Sequence, residues 1–134
     1  MVVHLAGAGI GDKRLTAERR KVVLESRTQS TGLIARTLAS LDAPPTVMVS
    51  GSAMGIYGDT GDEPVTEQSP HGLDYLAQVC EAWEAAAAPA VDAGIRVPFL
   101  RTGMVLAREG GALAKMLPLF KFGVGGRLGS GRQW

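Results

Sequence analysis

The sequence is poor in the residues that usually mark chemistry. It has one cysteine, two histidines, two tyrosines, two tryptophans and three phenylalanines in 134 residues. A single thiol, Cys80, excludes a disulfide framework and fits a reducing, cytoplasmic setting. One cysteine and two distant histidines, His4 and His71, match no zinc-ligand spacing, so no metal is expected. Fourteen basic residues against thirteen acidic ones leave a net charge of +1, which offers nucleic acid no general electrostatic attraction. No apolar run is long enough to span a bilayer, and no signal peptide is visible. The expected partner is therefore a small-molecule substrate, not a nucleic acid or a membrane; the oligomeric state stays open. With 46% hydrophobic and 20% charged residues, the chain has ordinary globular composition and the size of one domain at most.

What the chain has is a series of apolar segments ending in small residues. Residues 2–6 read as a buried-type strand running into Ala6-Gly7-Ala8-Gly9. Glycine and alanine let a flat ligand approach the backbone at a strand end. Gly7, Gly9 and Gly11 imitate a dinucleotide fingerprint, but Asp12 stands where its last glycine belongs and would face a pyrophosphate with the wrong charge. No Gly-Lys-Ser/Thr follows, so the stretch is not a P-loop either.

The spacing of Leu24, Thr31, Ile34, Leu38 and Leu41 predicts a helix over 16–41, with Thr16 as N-cap and Pro44-Pro45 as its stop. A second strand is expected over 46–50, with Ser50-Gly51-Ser52-Ala53 as its small-residue end. An acidic loop follows, then an alanine-rich helix over 73–93 that Pro89 should kink or divide and Gly94 should close. A third strand is expected over 95–101, although Pro98 must remove one ladder hydrogen bond. A short helix over 110–122, broken at Pro118, leads into a glycine-rich tail that carries Lys115, Lys121, Arg127 and Arg132. Strands alternating with helices predict an α/β fold: a parallel, doubly wound sheet of Rossmann type with helices on both faces. In such sheets ligands bind at the carboxyl ends of the strands, where Ala6-Gly7, Ser50-Gly51-Ser52 and Arg101-Thr102-Gly103 fall.

Taken in order, HLAGAGI, Glu25-Ser26-Arg27, Val49-Ser50-Gly51-Ser52-Ala53, Ile56-Tyr57-Gly58, Glu67-Gln68-Ser69-Pro70, Cys80-Glu81-Ala82-Trp83-Glu84, Arg101-Thr102-Gly103-Met104-Val105-Leu106 and the stretch from Gly110 to Gly131 resemble one family. It is the atypical or extended branch of the short-chain dehydrogenase/reductases, and within it the epimerase-family proteins of the 39U type. The resemblance implies a central piece, residues 1–134, of one NAD(P)-binding Rossmann-type domain. Family members begin with a phosphate-binding βαβ unit that this chain lacks, and residues 110–134 would start the substrate side. It also implies a nicotinamide cofactor, NADP or NAD, lying against Leu5, Ala6 and Gly7, with Arg27 and Val105 as further contacts. A guanidinium suits phosphate through its planar fork of donors.

In the superfamily a strand-end hydroxyl polarises the substrate, a tyrosine transfers the proton, and a lysine four residues on assists it. Ser50 and Ser52 supply hydroxyls, and Tyr75 is the candidate phenol. Four residues beyond Tyr75 stands Val79, and the register set by Trp83-Glu84 pairs Leu76 with Cys80, so no Tyr-x-x-x-Lys exists. Tyr57 is a second phenol. The expectation is an NAD(P)-dependent oxidoreductase or epimerase of unknown substrate. The alternative is a non-catalytic NAD(P)-binding regulatory module, such as a cell-division-related label would suit, that has lost the relay.

Overall fold

The structure, a computed structural model, describes residues 1–127 and 129–131; Arg132 of the expected basic tail lies outside them. The chain forms two compact units, Met1–Gly103 and Met104–Trp134. The first runs β1 (Val2–His4), α1 (Ala17–Ala39), β2 (Met48–Ala53), α2 (Tyr75–Ala85), α3 (Ala88–Asp92) and β3 (Phe99–Thr102), with short 3₁₀ turns at Ile10–Asp12 and Met54–Tyr57. The second holds α4 (Gly111–Lys121).

The three strands are parallel in the order β1-β2-β3, so each crossover carries at least one helix, as parallel pairing requires. His4 lies opposite Ser50, and Ser52 lies opposite Arg101. β2 is the middle strand and continues to Ala53, so Ser50, Gly51 and Ser52 sit inside the ladder and not beyond a strand ending at residue 50. Small residues there are compatible with pairing because β2 is covered on both edges and buried from Ser50 to Ser52. Pro98 explains why β3 starts late. The register Val47↔Arg96 is the same as Ser50↔Phe99, and Pro98 still accepts from the Ser50 amide at 3.0 Å. It has no N–H to return, so the ladder is interrupted for one step.

Thr16 caps α1 by accepting from the Arg19 amide at 3.2 Å. Pro89 divides the expected 73–93 helix. α2 ends at Ala85, and α3 begins with Pro89 in its first turn, where a missing N–H costs nothing. Asp74 caps α2 through the Ala77 amide at 2.9 Å. Gly94, at φ +79°, closes α3 while the Ile95 amide reaches back to Ala90. Pro118 does not break α4 as expected from the sequence. It removes the bond to residue 114, but the Phe122 amide reaches Pro118 and the Val124 amide reaches Leu119 across Gly123 (φ +70°), so the last turn is fully tied.

The core packs Ala35 and Leu38 of α1, Met48 of β2, Ala90 of α3 and Ile95, flanked by Val2, Ile34 and Val97. α1 therefore rests on α3 at one end of the sheet, which leaves the opposite, carboxyl ends of the strands to the site. No helix of the described residues is long and apolar enough to cross a membrane. Among those residues no cluster of three or more metal-ligating side chains occurs.

Candidate functional site

The first part of the site is the end of β1. Leu5, Ala6 and Gly7 leave the strand exposed. The following turn is pinned from below by α1: the Ala8 amide donates to Ser26 Oγ at 3.0 Å, and Arg27 Nη1 donates to the Ala8 carbonyl at 3.0 Å. Arg27 is 9% exposed. Its Nη1 also donates to Val23 O, and its guanidinium lies 5.0 Å over the Trp83 ring. Burial lowers its pKa from the ordinary guanidinium value. A Cβ on Gly7 would come within 3.1 Å of the Arg27 guanidinium carbon, so glycine lets the backbone lie directly on that cation. Among the described residues, Arg27 Nε and Nη2 have no hydrogen-bond partner. A flat ligand with an anionic group fits this arrangement: an exposed strand end whose small residues are Ala6 and Gly7, with a half-committed guanidinium against Gly7.

Trp83 links the first part of the site to the second. Its indole N–H donates to Thr31 Oγ1 at 2.9 Å, and the same oxygen lies 3.0 Å from His4 Nε2. The ring packs so tightly on β2 that a Cβ on Gly51 would sit 2.9 Å from it. Glycine stands between the two serines for this close approach.

The second part is a polar cluster at the carboxyl ends of β2 and β3. Arg101 Nε and Nη2 each donate at 2.9 Å to a different oxygen of Glu84. Ser52 Oγ donates to Glu84 Oε1 at 2.6 Å. Arg101 Nη1 donates to the Tyr57 hydroxyl at 2.8 Å and to Glu67 O at 3.2 Å. Burial works against the charged form of Glu84, but the hydrogen bonds from Arg101 and Ser52 outweigh it and hold the carboxyl below its usual range. The bond to Glu84 in turn raises Arg101, which stays firmly protonated. Beside this cluster opens a cavity of about 620 Å³ lined by Met54, Tyr57, Thr66, Phe99, Leu100 and Thr102 among others.

Of the residues singled out from sequence, Ser52 lies in this cluster. Ser50 is fully buried, and its Oγ donates to Gly51 O at 3.3 Å. Tyr75 stands at the start of α2, donates its phenol proton to Arg20 O at 2.9 Å and is covered by the Arg20 guanidinium. Cys80 is buried, and desolvation pushes its thiol up, the state of an inert packing residue. Val105 belongs to the second unit and is exposed. Sequence reasoning placed Arg101 at a ligand-facing strand end but gave neither it nor Glu84 a role in the site. The available signals were an acid in an otherwise alanine-rich helix and an arginine closing a strand.

A parallel sheet with helical crossovers and its polar groups gathered at the carboxyl ends of the strands defines a Rossmann-type α/β protein. The comparisons with known proteins carry this further. No protein-family model matches the chain. An epimerase family protein of Mycobacterium leprae is 41% identical over 99% of this chain and 43% of its own length. The chloroplastic SDR39U1 homolog of Arabidopsis thaliana is 43% identical over 99% of this chain and 38% of its own. Among solved structures, the human epimerase family protein SDR39U1 with NADPH superposes at a TM-score of 0.85, with 33% identity, over 98% of this chain and 45% of that one. The nucleoside-diphosphate sugar epimerase of Corynebacterium glutamicum gives 0.82 at 44% identity, over 98% of this chain and 27% of that one. The chain is thus a relative of the epimerase family proteins, and it spans less than half the length of these relatives.

Proposed function

We propose that the chain supplies the strand-end half of an NAD(P)-dependent oxidoreductase or epimerase site, as the central part of a Rossmann-type domain whose substrate side begins at residues 110–134. The observation that carries this reading is the β1 end, where Leu5, Ala6 and Gly7 are exposed and the buried Arg27 guanidinium lies against Gly7 and the Ala8 carbonyl. Its likeness to a human protein crystallised with NADPH supports a nicotinamide dinucleotide as the occupant. When bound, that group supplies hydride transfer. The chain's own residues hold it. The backbone of residues 5–7 gives it a flat seat, and Arg27 Nε and Nη2 offer donors to a phosphate; Val105, in the second unit, is the further contact that the family resemblance implies. The cofactor in this reading is NADPH or NADH.

Ser50, Ser52 and Tyr75 are the candidate catalytic groups. Ser52 is the best supported, because it stands with Glu84 and Arg101 beside the cavity. The absence of a lysine partner for Tyr75 favours a second reading, a regulatory NAD(P)-binding module that keeps the seat without the chemistry.

The test is a graft of this chain in place of the matching stretch of the Mycobacterium leprae relative, titrated with NADPH and NADH by nucleotide fluorescence. Binding by the graft that weakens by about 1.5–3 kcal/mol in Arg27→Ala, the range for hydrogen bonds to charged groups, supports the reading. Binding untouched by Arg27→Ala removes Arg27 from the site. A folded graft that binds neither nucleotide removes the reading.

A further inference from the structure

We propose that Tyr57 is the phenol that donates a hydrogen bond to the substrate, and that the cavity beside it receives an uncharged carbonyl- or hydroxyl-bearing group. The inference rests on the reading of this region as the substrate side of a nicotinamide site, but its test involves no cofactor.

Three observations converge on Tyr57. The first is the state of its hydroxyl. Arg101 Nη1 donates to that oxygen at 2.8 Å, so a lone pair is occupied and the phenol's own proton is directed elsewhere. Among the described residues nothing accepts that proton, and the ring lines the cavity of about 620 Å³. Tyr75 is the opposite case, since its proton is already given to Arg20 O.

The second observation is rigidity. Tyr57 closes a 3₁₀ turn directly after β2. Gly58 then reverses the chain at φ +70°, and the Gly72 amide returns to Ile56 O at 2.9 Å. A Cβ on Gly72 would lie 2.7 Å from Gly58 Cα, so the two ends of the intervening loop touch backbone to backbone. Arg101 is fixed in turn by the two-pronged bond to Glu84 and by Glu67 O. A donor held this way loses little freedom when it engages a ligand.

The third observation is charge. Among the described residues the cation lining the cavity is Arg101, which Glu84 pairs with at 2.9 Å. Among the described residues no uncompensated positive charge lines the space, which disfavours a phosphate there. The walls from Met54, Val65, Phe99 and Leu100 are apolar, while Tyr57, Thr66 and Thr102 carry hydroxyls. That lining suits a neutral group with one or two oxygen atoms. A reduced nicotinamide, when bound, would supply a hydride to a carbonyl carbon; the part of this chain is the Tyr57 O–H, whose proton goes to the carbonyl oxygen. Arg101 Nη1 keeps its hydrogen bond to the phenol oxygen, and solvent returns the proton.

The test uses the 134-residue chain and acetophenone labelled with ¹³C at the carbonyl, with benzoate as its charged counterpart. A hydrogen bond to the carbonyl oxygen moves the ¹³C resonance downfield. The expected result is a saturable downfield shift for acetophenone and at least tenfold weaker binding of benzoate. The shift is expected to be lost in Tyr57→Phe and kept in Leu33→Ala, an exposed position of α1 that does not line the cavity. Circular dichroism confirms that the Tyr57→Phe chain is folded, and Thr66→Val and Thr102→Val test the other two hydroxyls independently. A shift that survives Tyr57→Phe or disappears in either threonine variant gives the donor role to another residue and overturns the proposal. So does the absence of any saturable shift in the unmodified chain, or preferential binding of benzoate.

Discussion

Arg101 and Glu84, one closing β3 and the other near the end of α2, meet through two parallel hydrogen bonds of 2.9 Å, with their side chains 18% and 13% exposed. The pair ties a helix to the strand end on which the cavity opens. Removing one partner leaves a nearly buried charge alone. Glu84→Ala is expected to cost about 3 kcal/mol, the lower end of the range for breaking a buried pair, whereas a Glu84→Met/Arg101→Met double variant is expected to recover most of it. Urea unfolding of the three chains measures this. A single variant within 0.5 kcal/mol of the parent, about the scatter of an ordinary surface substitution, would show that the pair adds nothing to stability.

Thr31 accepts from the Trp83 indole and contacts His4, joining α1, α2 and β1 through one hydroxyl. Thr31→Val preserves shape but leaves a buried indole N–H without an acceptor. The expected loss is about 1–3 kcal/mol, with a change in the near-ultraviolet dichroism of Trp83. Unchanged stability together with an unchanged tryptophan signal would place the bond outside the energetics of the core.

His4 is buried, and desolvation lowers its pKa below the usual 6.5. The unfolded chain therefore binds a proton that the folded chain resists. The resulting loss begins as pH falls through about 6.5, grows until the lower folded-state value is reached, and is absent at higher pH. Denaturation midpoints at pH 7.5 and 5.5 are expected to drop more for the parent than for His4→Gln. Equal drops would assign the acid sensitivity to other groups. Glu84 acts further down the scale: its depressed carboxyl stabilises the fold above the ordinary carboxylate range, and that contribution disappears as pH falls through its lower folded-state value.

Much of the fold was legible in the sequence because its signals are local. Thr16 caps, Pro89 opens a new helix, Gly94 closes it and Pro98 interrupts a ladder, each through its own backbone chemistry. Pro118 was misread because its effect depends on the turn that follows it. The extent of β2 was underestimated because Ser50-Gly51-Ser52 has weak strand propensity, and pairing on both edges overrides that preference. Candidate hydroxyls could be read from the chain, but their states could not. Whether Ser50, Ser52, Tyr57 or Tyr75 keeps a proton for a ligand depends on which acceptor lies near it. Those acceptors come from residues up to 55 positions away, as with Arg20 for Tyr75. The Glu84–Arg101 bond joins two elements that no spacing rule connects.

The most direct test of the cofactor seat is an amide and arginine side-chain NMR map of the ¹⁵N-labelled graft titrated with NADPH. The account predicts progressive shifts at residues 5–9, at the Arg27 Nε–H and at Val105, with the outer face of α1 around Lys21 and Glu25 unmoved. Shifts confined to that outer face or to the lysines of α4, with Leu5, Ala6, Gly7 and Arg27 unmoved, would contradict it.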